Sequence, residues 1–363
     1  MADLLFRKHH AKVRTLQRGM VAFGIRQARR HPYLMAFVGF ASGCLSFLLA
    51  QRQEEASRII AIAMLATWVW LMFEAPIRQL LASWLRIKLP PLAVKFGTQI
   101  LHQESLFFAI PFFVITTTWG SPQMVFTLLL ITAAVASIYD PFYYKRIAGS
   151  PWLLPLYHSF AVFALLLTAL PIVVSMTTGQ SYLVALVIAG LMSLPIIKQT
   201  ITVYGRPWWA WPGRAAILLT IGAAGYGLQS WVPPAALWAT DIAITQELDA
   251  KQRVHGEPLA FIAESDLHAE GLYAFTAIRA PLGLREVIYH EWRHNGELVD
   301  RIALTIDGGR KAGYRSWSHK LNFPADSLGR WDLKLVTSGN QMIARRTFEV
   351  TESPALREIL TGD

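Results

Sequence analysis

Residues 151–176 read PWLLPLYHSFAVFALLLTALPIVVSM, and no Asp, Glu, Lys or Arg interrupts them. A chain crosses the hydrocarbon layer of a bilayer as a helix of about 20 mostly apolar residues, because the backbone N–H and C=O groups find no water there and must pair internally. The stretch therefore predicts a spanning helix. Working outward, similar runs stand at 32–50, 58–76, 100–119, 122–140, 180–197 and 214–235, so the sequence predicts an all-α membrane bundle of about seven transmembrane helices. Composition agrees, with 53% apolar and 16% charged residues in 363.

Charge is divided unevenly. Up to residue 239 there are 19 Lys and Arg against 6 Asp and Glu, whereas 240–363 holds 15 against 18. The basic residues gather at alternate connections: eight in residues 1–31, then Arg78, Arg86, Lys88 and Lys95, then Lys145 and Arg146, then Lys198, Arg206 and Arg214. The opposite connections offer Arg52 and Arg58, offset by Glu54 and Glu55. By the positive-inside rule this places the N-terminus in the cytoplasm and, with an odd number of spans, the C-terminal part on the far side. Basic charge spread over short loops between apolar runs does not make a nucleic-acid surface. The only cysteine, Cys44, lies in the first apolar run and excludes an intramolecular disulfide.

Within residues 1–31, Phe6, Val13, Leu16, Met20 and Phe23 form an apolar stripe at helical spacing among basic residues. That pattern suits a helix lying in the interface and held by anionic lipids. Tryptophans fall near the ends of the runs, Trp119, Trp231 and Trp238 at one interface and Trp84, Trp152, Trp208, Trp209 and Trp211 at the other.

After Trp238 the apolar runs give way to short alternating segments, which predict strands at 241–248, 257–264, 272–280, 285–294, 297–306, 314–321, 329–338 and 341–350. Asn295-Gly296 is a two-residue hairpin signal. Together these predict an all-β, immunoglobulin- or fibronectin-like antiparallel sandwich over 240–352, with Trp292, Trp331, Leu333 and Leu335 in its core. The organisation expected is thus a basic segment 1–31, a membrane domain 32–238, the sandwich, and a tail 353–363.

His290-Glu291-Trp292-Arg293-His294 matches the His-Glu-x-x-His zinc pattern. That chemistry needs a helix, which brings the two histidines onto one face. The following Asn-Gly turn predicts a strand instead, and four residues of strand separate the histidines by about 13 Å, too far to share a zinc with bonds of about 2 Å. No metal or other cofactor is expected.

His290-Glu291-Trp292 with Gly296, Gly313-Tyr314-Arg315-Ser316-Trp317-Ser318 with Lys320, Gly329-Arg330-Trp331 and Phe348-Glu349-Val350 together resemble the bacterial domain of unknown function 2914, over about 240–352. The preceding helices, notably His102 to Phe108, resemble the domain of unknown function 5924 that is often fused to it. The resemblance implies a bacterial inner-membrane protein with a periplasmic β domain, and implies no activity.

Two sets of residues are candidates for function. Glu74, Gln99, His102, Gln103, Glu104, Asp140 and His158 are polar groups inside apolar runs, each costly unless paired or functional. They all fall toward the cytoplasmic leaflet and could bind a lipid headgroup or move a proton; the alternative is helix-end residues reaching individually into the headgroups. On the sandwich, alternation turns Tyr289, Glu291 and Arg293 away from Trp292, and Arg315, Trp317 and His319 share a face of a later strand. Exposed aromatics beside charges suit an envelope glycan or a protein partner. No compact catalytic set can be assembled. The expected function is a non-enzymatic envelope protein presenting a binding module; the alternative is a lipid- or polyprenyl-handling enzyme or transporter using the polar pocket.

Overall fold

The computed structural model describes residues 91–150, 152–192 and 210–352, with a few isolated positions between 37 and 66. The helical region comprises α1 (Pro91–Thr116), α2 (Gln123–Ile138), the short turn α3 (Asp140–Phe142) running into a π-turn at Tyr143–Ile147, α4 (Leu153–Val174), α5 (Thr178–Met192) and α6 (Ala210–Gly227). With 22 residues, α4 is about 33 Å long at 1.5 Å per residue, a match to a hydrocarbon core of about 30 Å. It ends at Ser175, whose left-handed φ of 53° stops the helix.

The seven-span bundle expected from the sequence is not what the described residues form. Among the described residues, α4 alone is long and apolar enough to cross a membrane, and a second span arises only if α2 and Asp140–Ile147 are taken as one, across a bend of 94°. The run at 122–140 fails as a straight span because Pro141 follows it. Proline has no N–H to give the carbonyl of residue 137 and its ring clashes there, so the chain leaves the helix at Tyr139 (ψ 90°) and restarts in a new direction. The run at 180–197 falls on α5, which is described over only 15 residues, and in α6 the apolar part is Leu218–Gly227. The runs at 32–50 and 58–76, Glu74, the segment 1–31 and the tail 353–363 lie outside the described residues, apart from the isolated positions noted.

The β region contains β1 (Trp238–Thr245), β2 (Leu248–Asp249), β3 (Val254–His255), β4 (Phe261–Ala263), helix α7 (Glu264–Glu270), β5 (Leu272–Arg279), β6 (Arg285–His294), β7 (Glu297–Asp307), β8 (Tyr314–Lys320), β9 (Gly329–Thr337) and β10 (Met342–Thr351). Three strands pair in the order β1-β5-β8, five in the order β4-β10-β9-β6-β7, and β2 with β3. The all-antiparallel immunoglobulin-like sandwich is also overturned: β4 runs parallel to β10, with Phe261 opposite Glu349, and leads directly into α7. Side-chain alternation reveals which residues share a face but carries no information on strand direction, so the sequence pattern could not show this. At the β6–β7 hairpin, Asn295 (φ 48°) and Gly296 (φ 91°) take the two positive φ values that a type I′ turn requires.

The two larger sheets share an apolar core. Ile244, Leu272 and Ala274 from the three-stranded sheet meet Trp292, Trp331, Leu333, Phe348 and Val350 from the five-stranded one. Trp331 satisfies its indole N–H by donating to the Ser327 carbonyl at 2.8 Å, as a buried indole must.

Hydrogen bonds fasten this region to one end of the helices. Thr178 at the start of α5 donates its backbone N–H (3.0 Å) and hydroxyl (2.7 Å) to Oε2 of Glu286. Gln123 Nε2 donates to the Met342 carbonyl (2.9 Å), Gln341 Nε2 to the Val232 carbonyl (2.8 Å), and the Ser175 hydroxyl to the Leu282 carbonyl (3.3 Å). Glu286 is buried, and burial pushes its carboxyl above the usual carboxylate range against the opposing pull of the two Thr178 hydrogen bonds.

The folded chain therefore holds this proton more tightly than the unfolded chain does, and the contribution to stability falls as pH rises through the raised value. Glu286→Gln keeps an acceptor oxygen for Thr178 and removes the desolvated charge. Thermal unfolding of the full chain at about pH 5 and about pH 8 should show a smaller loss at the higher pH in this variant than in the wild type, and an unchanged difference would refute the assignment.

Candidate functional site

The polar residues of the helices converge. Gln99 and His102 lie on consecutive turns of α1, both buried. Gln99 Nε2 donates to the Ser137 carbonyl at 3.0 Å and to Asp140 Oδ1 at 2.8 Å. The carbonyl it reaches is the one that Pro141 leaves without a helical donor, so a side chain from α1 completes the broken end of α2. The bend then carries Tyr143 beneath α1, where its hydroxyl lies 2.8 Å from His102 Nδ1. On the other side, His102 Nε2 lies 3.0 Å from Nδ1 of His158 on α4. Tyr157 packs edge-on to the His102 ring, with centroids 5.1 Å apart, and its own hydroxyl donates to the Ala133 carbonyl.

Tyr143, His102 and His158 thus form a hydrogen-bonded chain with two consistent tautomeric directions. If the tyrosine O–H donates to Nδ1, the Nε2–H of His102 donates to His158. Moving the His102 proton to Nδ1 reverses both bonds. Gln103 is buried on α1 and Glu104 is half-buried on another face of the same helix. Asp140 joins through Gln99, while Glu74 lies outside the described residues. Tyr143 and Tyr157 were not candidates; the bend brings in Tyr143, and Tyr157 comes with His158 on α4.

The candidate residues on the β region divide between two surfaces. On the three-stranded sheet, Arg315, Trp317 and His319 stand opposite Ala277, Phe275 and Tyr273. The rings of His319 and Tyr273 stack at 3.9 Å, Trp317 packs with Phe275, and Arg315 Nη1 donates to the Arg253 carbonyl in the β2–β3 connection. Tyr289, Glu291 and Arg293 lie instead on the five-stranded sheet, on the face turned away from the shared core.

That face carries a charged lattice built by strand register. Arg301, Glu291, Lys334 and Arg345 form one row across β7, β6, β9 and β10; Arg293, Asp332 and Thr347 form the next. Glu291 receives Arg293 (3.2 Å) and Arg301 (3.5 Å), and Arg301 also lies over the Tyr289 ring at 4.1 Å. Asp332 is gripped by Arg345 through both carboxylate oxygens (2.7 and 2.8 Å) and accepts from the Thr347 hydroxyl at 2.7 Å, with Arg330 at 3.8 Å. Burial draws the Asp332 carboxyl upward, but the Thr347 and Arg345 hydrogen bonds and the charges of Arg345 and Arg330 outweigh it, leaving the group below the usual carboxylate range. Arg330, Asp332, Lys334, Arg345 and Thr347 were not among the candidates. Their alternation with Trp331, Leu333 and Leu335 would have found them, since residues flanking a core position face the other way.

The His-Glu-x-x-His pentapeptide lies on β6. Its buried His290 has both ring nitrogens engaged, Nδ1 with Ser318 Oγ at 2.8 Å and Nε2 with Thr276 Oγ1 at 3.1 Å, and burial pushes the imidazole down to about 3. His294 stacks on Trp331 at 4.6 Å. Among the described residues no group of three or more His, Cys, Asp or Glu is placed to hold a metal ion.

A helical region with one helix long and apolar enough to cross a membrane, joined to a β region with one mixed sheet, is the class that fold and sites define. Residues 13–274 match the Family of unknown function (DUF5924), more than half of the chain, and the protein belongs to that family; residues 285–350 match DUF2914, a protein of unknown function. The first match extends well beyond the helices, through β1–β4 and into β5, so the second begins only at β6 and not near residue 240. Both larger sheets are consequently built from strands of both families. No curated protein and no solved structure matches the chain.

Asp332→Asn removes the charge that holds Arg345 and Thr347 and should cost about 2 kcal/mol, the scale of hydrogen bonds to a charged group. A depressed acid stabilises above its unfolded value and loses that contribution as pH falls through the folded one. Denaturant titrations should therefore show the wild-type advantage over Asp332→Asn at neutral pH and its disappearance in acid; a constant gap would contradict the assigned ion pair.

Proposed function

We propose that the chain is an envelope protein held in a bacterial inner membrane by its helices, presenting the β region on the side away from the cytoplasm as a recognition module and not as a catalyst. The observation that carries this reading is the polarity of α4. Lys145 and Arg146, both exposed, precede its start, whereas Ser175 at its end is bonded to the β region. Basic residues are retained in the cytoplasm, so one spanning helix is enough to put the sheets on the opposite side.

Further features support membrane insertion. Trp152 is exposed at the basic end, and Trp119 and Trp231 are exposed at the β end, the spacing of two aromatic belts. Leu183, Val187 and Leu191 form an exposed stripe on α5, with Val187 62% exposed, a surface suited to acyl chains rather than water. The apolar stripe of residues 4–25 with basic residues around it, a pattern suited to anionic headgroups, belongs to the same reading. The charged outer face of the five-stranded sheet, fixed through Glu286 and Thr178, is then offered to an envelope glycan or protein.

In a Cys44→Ser background, Asn340→Cys should react with a membrane-impermeant maleimide added to intact spheroplasts, and Ser150→Cys should react only after lysis. The reverse pattern would sink the orientation.

A second reading is favoured by the convergence of Tyr143, His102 and His158: a lipid- or polyprenyl-handling site at the basic end of α4. Its test is the lipid that accompanies the purified protein, quantified by mass spectrometry. A specific lipid lost from the His102→Ala, His158→Ala double variant would support it, and an unaltered lipid complement would discard it.

A further inference from the structure

Lys334 stands at the centre of the outer face of the five-stranded sheet, and the carboxylates around it are already taken. Its register partner Glu291 has its oxygens held by Arg293 and Arg301. The neighbouring Asp332 is held by Arg345. Among the described residues no hydrogen bond or ion pair holds the Lys334 ammonium, and its other register partner is the cation Arg345. Burial, followed by the charges of Arg293 and Arg345, lowers the Lys334 ammonium below an ordinary lysine, against the weaker opposing pull of Asp332 and Glu291.

The face as a whole is cationic at this point. Arg293, Arg301, Arg330, Lys334 and Arg345 face Glu291 and Asp332, and Glu349 lies one row further, opposite Arg330. Arg345 commits Nε and Nη2 to Asp332, so its Nη1 hydrogens and the three of Lys334 remain to meet a ligand. An ammonium fixed among like charges, with donors to spare, is relieved by an anion.

We propose that Lys334, between Arg293 and Arg345, is a binding site for a tetrahedral oxyanion, a phosphate or sulfate group either free in solution or carried on a lipid headgroup. This rests on the reading of the β region as a recognition module and gives it a ligand class. Lys334 is two residues from Val336, the register partner of Met342, whose carbonyl accepts from Gln123 of α2, or about 7 Å at 3.3 Å per residue, so a free anion and a lipid headgroup are both within reach and the experiment separates them. The Coulomb attraction is long-ranged enough to be screened by salt, so binding weakens with added chloride.

The test is calorimetric titration of the detergent-solubilised full chain with sodium sulfate, whose charge is constant near neutral pH, and with inorganic phosphate, each against sodium chloride at equal ionic strength. Saturable binding should appear, fall at least tenfold in Lys334→Gln and remain unchanged in Lys311→Gln, which alters an exposed lysine outside this face. Affinity for sulfate should decline on raising pH at lower values than an ordinary lysine would require. No saturable binding, or equal binding by Lys334→Gln, overturns the site. A second arm offers phosphatidylglycerol vesicles to the nanodisc-embedded protein: with saturable sulfate binding in hand, Lys334-dependent capture of vesicles names a lipid headgroup as the carrier, and no capture names a soluble ligand. If oxyanion binding fails while Asn340→Cys still labels from outside, only the site falls; if binding holds and labelling reverses, only the orientation falls.

Discussion

The helical region depends on one unsatisfied carbonyl. Pro141 cannot donate to Ser137, and an acceptor stripped of its donor away from water is expensive. Gln99 supplies the missing N–H from α1 and holds Asp140 with the same amide. Once that bond fixes the break, the following turn has to run across the bundle, which delivers Tyr143 to His102. The bend and the imidazole chain are therefore a single structural event, set by a proline and a glutamine 42 residues apart in sequence.

The β region repeats the theme on a different scale. Its attachment to the helices runs through side-chain amides and hydroxyls meeting backbone carbonyls, and through one buried carboxylate. Glu286 receives the first turn of α5 much as a capping residue would, because the N–H groups there have no partner inside the helix. The outward face is organised by arginine, whose planar fork grips a carboxylate at two points and so wins Glu291 and Asp332 from the lysine between them.

How far the sequence could be read follows from which physical signals are local. Asn295-Gly296 located the hairpin because the turn's φ values are demanded by adjacent residues. Trp292, Trp331, Leu333 and Leu335 were legible as core, and Tyr289, Glu291 and Arg293 as the opposite face, because strand alternation has period two. The convergence of Gln99, His102, Asp140 and His158 was posed as a question that only packing could answer. The apolar run at 122–140 misled, since hydropathy averages over a break that one proline creates, and the seven-span count failed with it. The parallel partner of β4 was invisible for a different reason, because pairing across some ninety residues leaves no trace in a window of ten.

That distant pairing has a kinetic consequence. Phe261–Ala263 is synthesised long before Glu349–Thr351, so one border of the larger sheet stays open, with bare backbone donors and acceptors, until its neighbour is delivered. Closure of so long a loop comes late in folding. Throughout that interval the nascent sheet is exposed to strand exchange with another copy, which makes the stretch of synthesis between the two strands the vulnerable one in this protein's life.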